Sequence, residues 1–239
     1  EICACLVGSE MCIRDRADDV TDFMLWGLPI SIIGARLYYV LFDLPQYIAD
    51  PIQIFNIRSG GLAIYGGLIA GAITLYFFTK YHFISLWTFL DIAAPSVLLA
   101  QAIGRWGNFM NHEAYGPDTT RSFLESLHLP QFIIDNMYIE GIYRQPTFLY
   151  ESLWSLIGFI LLLFLRKKPH LLKKGEVLLC YLMWYSFGRF FIEGLRTDSL
   201  YFLGVIRISQ LLSAVLFVGT LILFIWRRKK GNLPDYDRS

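Results

Sequence analysis

The sequence predicts an all-α integral membrane protein, a bundle of about six transmembrane helices with a small extracytoplasmic cap. Three observations predict it: a mean hydropathy of +0.47, charged residues at only 17% against 55% hydrophobic ones, and apolar runs that recur near spanning length. Soluble domains carry about 25% charged residues, so much of this surface has to face lipid. The competing reading, a soluble core that buries every run, leaves too little polar sequence to wrap them.

A helix that crosses the hydrocarbon core needs about 20 mostly apolar residues. Segments 23–42, 61–79, 86–103, 147–165, 176–192 and 203–226 reach or approach that length. Residues 1–16, EICACLVGSEMCIRDR, share no character with the rest of the chain and lack the basic and apolar regions of a signal peptide. They read as a non-native leader, with 17–239 as a single polytopic domain and 105–146 as its extracytoplasmic segment. Cys3, Cys5 and Cys12 fall in that leader, while Cys180 lies inside an apolar run. Their spacing forms neither a zinc site nor a disulfide framework, and Cys180 reads as a small buried apolar residue.

Orientation is set by the lysines. Lys80, Lys167, Lys168, Lys173, Lys174, Lys229 and Lys230 occupy the second-to-third connection, the fourth-to-fifth connection and the C-terminal tail. In a six-span alternation these share one side, and the positive-inside rule makes it cytoplasmic. The other side receives 43–60, 105–146 and 193–202. The net charge of +1, with no basic stripe interleaved with aromatics, points away from nucleic acid as a partner.

Four polar clusters gather at that outer side. Gly104-Arg105-Trp106-Gly107-Asn108-Phe109-Met110-Asn111-His112-Glu113-Ala114-Tyr115-Gly116 comes after the third span. If the helix continues, Arg105 and Asn108 share a face, and an arginine fork beside amides suits a phosphate or carboxylate. An interfacial anchor, with Trp106 in the aromatic belt, is the alternative. Tyr185, Arg189, Glu193 and Arg196 form one stripe at the end of the fifth span. A structural ion-pair ladder competes there with a functional site, because ionisable groups at membrane depth are costly and often functional. Gly60, Gly61, Gly66 and Gly67 open the second span and allow either close helix contact or an irregular entry. Arg36 lies in the outer half of the first span, with Asp91 as its expected partner. The fourth cluster is Arg144-Gln145-Pro146-Thr147-Phe148-Leu149-Tyr150-Glu151, where Glu151 is an acid inside an apolar segment. All the cations of these clusters are arginine, which points to an anionic lipid head group.

In order, residues 60–68, 104–116, 144–151 and 188–196 resemble the motifs of the bacterial prolipoprotein diacylglyceryl transferase family, and the likeness runs from about 20 to 230. The resemblance implies a multi-pass enzyme of the bacterial inner membrane with its active site towards the extracytoplasmic face. It implies transfer of diacylglyceryl from phosphatidylglycerol to the lipobox cysteine of a prolipoprotein signal peptide, releasing glycerol phosphate, with no cofactor and no metal. It assigns Arg105 to the lipid phosphate with Arg189 facing it. Glu113, Glu193 and Tyr65 join these as catalytic candidates, and Asn108, Asn111, Gly116, Tyr185 and Arg196 as substrate-binding ones.

Two departures accompany the resemblance. The family usually has seven spans, and here the leader stands where a tyrosine-bearing first span would be. Its glycine segment often carries His where this chain has Tyr65. The reaction is displacement at a glyceryl carbon, in which arginines stabilise the departing phosphate and neighbouring cations favour the cysteine thiolate. Glu113, Glu193, His112, Tyr65 and the leaving phosphate itself all stand open as proton acceptor. The alternative function is a non-catalytic anionic-lipid-binding protein or transporter. Transporters place polar groups near the midplane, often in repeated halves, and neither feature is evident.

Overall fold

The computed structural model describes residues 2–56, 60–168, 170–194, 201–202, 206–231 and 233–236, with side chains from Asp19 onward except at 46, 49, 201, 202, 206 and 208. The chain forms two compact units, 1–89 and 90–239, and the boundary falls inside a helix. The molecule is overwhelmingly helical, as the hydropathy requires. Helices α1 (Ile2–Phe42), α4 (Leu86–Met110), α7 (Thr147–Lys167) and α9 (Ile208–Lys230) contain segments long and apolar enough to span a membrane. Two shorter long helices, α3 (Ile64–Tyr81) and α8 (Glu176–Glu193), correspond to the other two expected segments. Exposed Leu25, Trp26, Leu68, Phe77, Val215 and Ile222 present the apolar exterior that lipid covers.

In the first unit α1 packs on α3 through small residues. A Cβ added at Gly66 would overlap the Tyr38 side chain and the Gly34 carbonyl, so only glycine permits this approach. Residues 2–16 continue in the same helix as the first apolar segment. After α1 come a short helix α2 (Leu44–Ala49) and a 3₁₀ turn, Pro51–Phe55. The chain then enters α3 irregularly, with Gly60 and Gly61 at φ 86° and 76°.

Arg36 organises this entry. It is 4% exposed, and its five N–H donors all reach main-chain carbonyls. Nε donates to Ile54 (3.0 Å), Nη1 to Gly60 and Gly61 (both 2.8 Å), and Nη2 to Gln53 (2.6 Å) and Asn56 (3.0 Å). The expected pair with Asp91 is therefore replaced, because the guanidinium is saturated by backbone. Asp91, buried in the second unit, accepts from the N–H groups of Gly175 and of Leu178 (2.9 Å) at the start of α8. A carboxylate there satisfies orphan donors and complements the helix dipole.

The second unit runs from the rest of α4 through a small cap to α7, α8 and α9. The cap comprises helices α5 (Arg121–Ser126) and α6 (Gln131–Asn136) and strands β1 (Asp118–Thr119), β2 (Tyr138–Ile139) and β3 (Ile142–Arg144). The strands form an antiparallel sheet of order β1-β3-β2, in which Asp118 pairs with Arg144 and Tyr138 with Tyr143. Leu124, Ile133, Ile134 and Met137 from the cap pack on Phe109 and Phe148, at the ends of α4 and α7. A two-stranded ribbon, β4 (Tyr201–Phe202) with β5 (Ile206–Arg207), precedes α9.

The opposite end of this unit holds the basic residues. Buried Glu176 receives Arg228 in a fork, Nε at 2.9 Å and Nη2 at 2.8 Å, and also the Lys173 N–H at 2.9 Å. Arg227 donates to the Lys174 carbonyl at 2.7 Å. Lys167, Lys174 and the end of α9 thus share one end, while the cap lies at the other.

Candidate active site

Helix α4 continues through Arg105 to Met110, which places Gln101, Arg105 and Asn108 on successive turns of one face. Opposite it, α7 contributes Glu151 and α8 contributes Tyr185, Arg189 and Glu193. Gln101, Arg105, Glu151, Tyr185 and Arg189 line a small cleft at the cap end of the second unit, with Glu193 one turn beyond Arg189.

Its centre is an alternating line of charges. Glu151, 8% exposed, takes Arg105 Nε at 2.5 Å on one oxygen and Arg189 Nη1 at 3.1 Å on the other. Arg189 Nη2 reaches Glu193 at 2.6 Å, one helical turn on. Glu193 is in turn tied through its carbonyl to Arg207 at the head of α9. Burial makes such pairing obligatory, since a lone carboxylate at this depth would be strongly penalised. Within α8 the Arg189–Glu193 pair forms, and Glu151 joins it to Arg105. Among the described residues, Nη1 and Nη2 of Arg105 make no hydrogen bond, and the side chain lines the cleft at 24% exposure. Arg105 therefore keeps its terminal fork for an anion.

The cleft wall also includes Gln101, Trp154, Ser155 and Gly188. Gln101 donates to the Tyr181 hydroxyl at 3.0 Å. Tyr185 stacks on Tyr181, with ring centroids 6.1 Å apart, and presents its ring to the cleft.

The remaining expected residues lie elsewhere. Asn108 and Glu113 line a second, small cleft, with His112, Tyr115 and Thr147. Glu113 closes the end of α4 by donating its N–H to the Asn108 carbonyl at 2.9 Å. Asn111 is exposed at the same turn. Gly116 is buried and donates its N–H to Gln145 at 3.0 Å; an added Cβ would meet Gln145 Cβ at 2.9 Å and Thr147 Cγ2 at 3.0 Å. Its role in the geometry is to hold the cap strand against the start of α7. Tyr65 belongs to the first unit, as the second residue of α3, and is 63% exposed. Arg196 lies outside the described residues.

The chain matches the family model described as prolipoprotein diacylglyceryl transferase over residues 2–226. It is 69% identical to the phosphatidylglycerol–prolipoprotein diacylglyceryl transferase of Enterococcus faecalis over 94% of this chain and 81% of that relative. The chain belongs to the prolipoprotein diacylglyceryl transferase family. Proteins of the same name from Streptococcus suis and Pediococcus pentosaceus are 58% and 55% identical, covering 92% and 93% of this chain and 81% of each relative. This family member is a transferase, embedded in a membrane by its apolar helices. The residues that sequence reasoning left out of the site are Glu151, Gln101 and Trp154. Glu151 carried a signal, a carboxylate within an apolar segment; Gln101 carried a weaker one, standing one turn before Arg105.

Proposed function

We propose that this chain transfers the diacylglyceryl group of phosphatidylglycerol to the cysteine thiol of a prolipoprotein lipobox, at the extracytoplasmic face of the bacterial inner membrane. The observation that carries the reading is the open fork of Arg105, held in place by Glu151 and flanked by Arg189. A phosphodiester drawn to that fork lies where the apolar helices meet the cap, with its acyl chains free to remain in lipid.

Arg105 and Arg189 bind the lipid phosphate and stabilise the charge that grows on it as the glyceryl C–O bond breaks. The cysteine sulfur forms the new C–S bond, its proton passes to a base or to the phosphate, and glycerol phosphate leaves. Glu151 keeps the two guanidiniums at a fixed separation, so they need no reorganisation as charge develops. Glu193 holds Arg189 from the other side. Asn108, Asn111, Gly116, Tyr185 and Arg196 are the further substrate-binding candidates, and Glu113 and Tyr65 the further catalytic ones. Lysines and arginines at the far end of α7, α8 and α9 support the orientation.

The test is incubation with phosphatidylglycerol and a lipobox peptide, then mass measurement. A peptide gaining one diacylglyceryl mass, with glycerol phosphate released, is the expected result. Lipid binding without any change in peptide mass would replace this reading with the non-catalytic one.

A further inference from the structure

We infer that Trp154 and Trp184 form a positioning lock that sets the register of α7 against α8, and thereby the separation of Glu151 from Arg189. The inference rests on the transferase reading of the cleft. The indole N–H of Trp154 donates to the Trp184 carbonyl at 3.1 Å, and that of Trp184 donates to the Trp154 carbonyl at 3.0 Å. Between these reciprocal bonds the rings stack, with centroids 4.2 Å apart and planes 11° from parallel.

Each ring lies in a notch on the opposite helix. A Cβ at Gly188 would overlap the Trp154 ring, and one at Gly158 would overlap the Trp184 ring. The same spacing, tryptophan and then glycine four residues later, thus occurs on both helices, and the two halves answer each other across an antiparallel pair. A slip of one residue moves a helix by about 1.5 Å and rotates it by about 100°. Both hydrogen bonds and both notches would then be lost, so the pair admits one register.

The lock stands one turn from the charges. Glu151 precedes Trp154 by three residues, and Arg189 comes directly after Gly188. Long Arg and Glu side chains can track a helix shift by changing rotamer, whereas rigid indoles seated in glycine notches cannot. Trp154 lines both the charged cleft and an apolar chamber next to it, whereas Trp184 lines only the chamber and is absent from the cleft wall. Any influence of Trp184 on turnover therefore passes through its joint with Trp154, which sets the register of the two helices.

The experiment measures steady-state transfer by the full chain from phosphatidylglycerol to a lipobox peptide. Trp184→Phe keeps an aromatic ring and removes one N–H donor. Gly158→Ala fills the notch from the side away from the cleft, and Gly219→Ala, at an open position of α9, is the control. The lock predicts a kcat about tenfold lower for Trp184→Phe, since small displacements from reactive geometry are costly. KM for phosphatidylglycerol stays within about twofold, because the Arg105 fork is untouched. It also predicts that the double variant is no worse than the weaker single variant, because both changes open the same joint. Unchanged kcat per folded molecule in Trp184→Phe, or losses that multiply in the double variant, would reduce the pair to packing. An inactive wild-type chain would instead overturn the transferase reading.

Discussion

Glu151 lies 2.5 Å from Arg105, and the same carboxylate holds Arg189 at 3.1 Å. An acid in this position draws together two cations that would otherwise repel, from helices distant in sequence. It also occupies only Nε of Arg105, so the terminal fork stays available to a phosphate. The cleft is therefore arranged around an anion of the protein's own, and the substrate's phosphate comes as a second one.

Arg105→Lys preserves the charge but replaces a planar fork with a single ammonium. Lysine cannot both meet Glu151 and offer two parallel donors to phosphate. Transfer should fall about 100-fold, the scale seen when one preorganised anion-binding donor is lost. Turnover at the wild-type rate would make Arg105 a generic interfacial anchor.

Glu151→Gln removes the bridging charge with little change in shape. Arg105 loses its only partner among the described residues, while Arg189 keeps Glu193. Breaking a buried pair in this way costs on the order of 3 kcal/mol. Thermal unfolding in detergent should shift downward, and transfer should drop at least about tenfold as the arginines separate. Wild-type melting with wild-type transfer would remove Glu151 from the site.

Much of this was legible from residue types and spacing. Tyr185, Arg189 and Glu193 were expected together because a helical period puts them on one face of α8, and the structure brings Tyr185 and Arg189 to one cleft with Arg105. The period does not say how two helices face each other, so Glu151 stood out as anomalous without revealing that it would join both arginines. The same limit explains Arg36. A buried cation in an apolar segment leads one to seek an acid, and Asp91 was available by position. Main-chain carbonyls of an irregular loop have no signature in side-chain sequence, so neither the five-carbonyl cradle nor the capping of α8 by Asp91 could be read in advance.

Arg36→Lys tests that cradle. Three ammonium donors on one atom cannot reach carbonyls that a guanidinium meets from three nitrogens, and each buried carbonyl left unpaired costs about 1–3 kcal/mol. Stability should fall by on the order of 2 kcal/mol, read as earlier thermal unfolding. An unshifted transition would mean that water replaces the guanidinium at those carbonyls.

Orientation is open to direct labelling. Ser122 in the cap and Lys168 at the far end of α7 are both exposed. With the native cysteines replaced by alanine, Ser122→Cys should react with an impermeant thiol reagent on intact cells, and Lys168→Cys only after lysis. The reverse pattern would put the charged cleft on the cytoplasmic side and contradict the proposed reaction.

Tyr65 is the catalytic candidate carried by the first unit. Two roles were open to it, a hydroxyl acting on the thiol or the phosphate, and an aromatic filling space between close-packed helices. The first unit bears on the second role: Gly66 makes the close approach to α1, whereas the Tyr65 ring is 63% exposed. A ring that is not packed between α1 and α3 has its hydroxyl available. Tyr65→Phe removes only that hydroxyl and should leave folding and phosphatidylglycerol binding intact while transfer falls about tenfold or more, within the range of acid–base contributions. Tyr65→His, which restores a proton-carrying side chain, should retain transfer. Full transfer by the phenylalanine variant would make Tyr65 a lipid-facing aromatic and leave Glu113 and Glu193 as the side chains to test for the thiol proton.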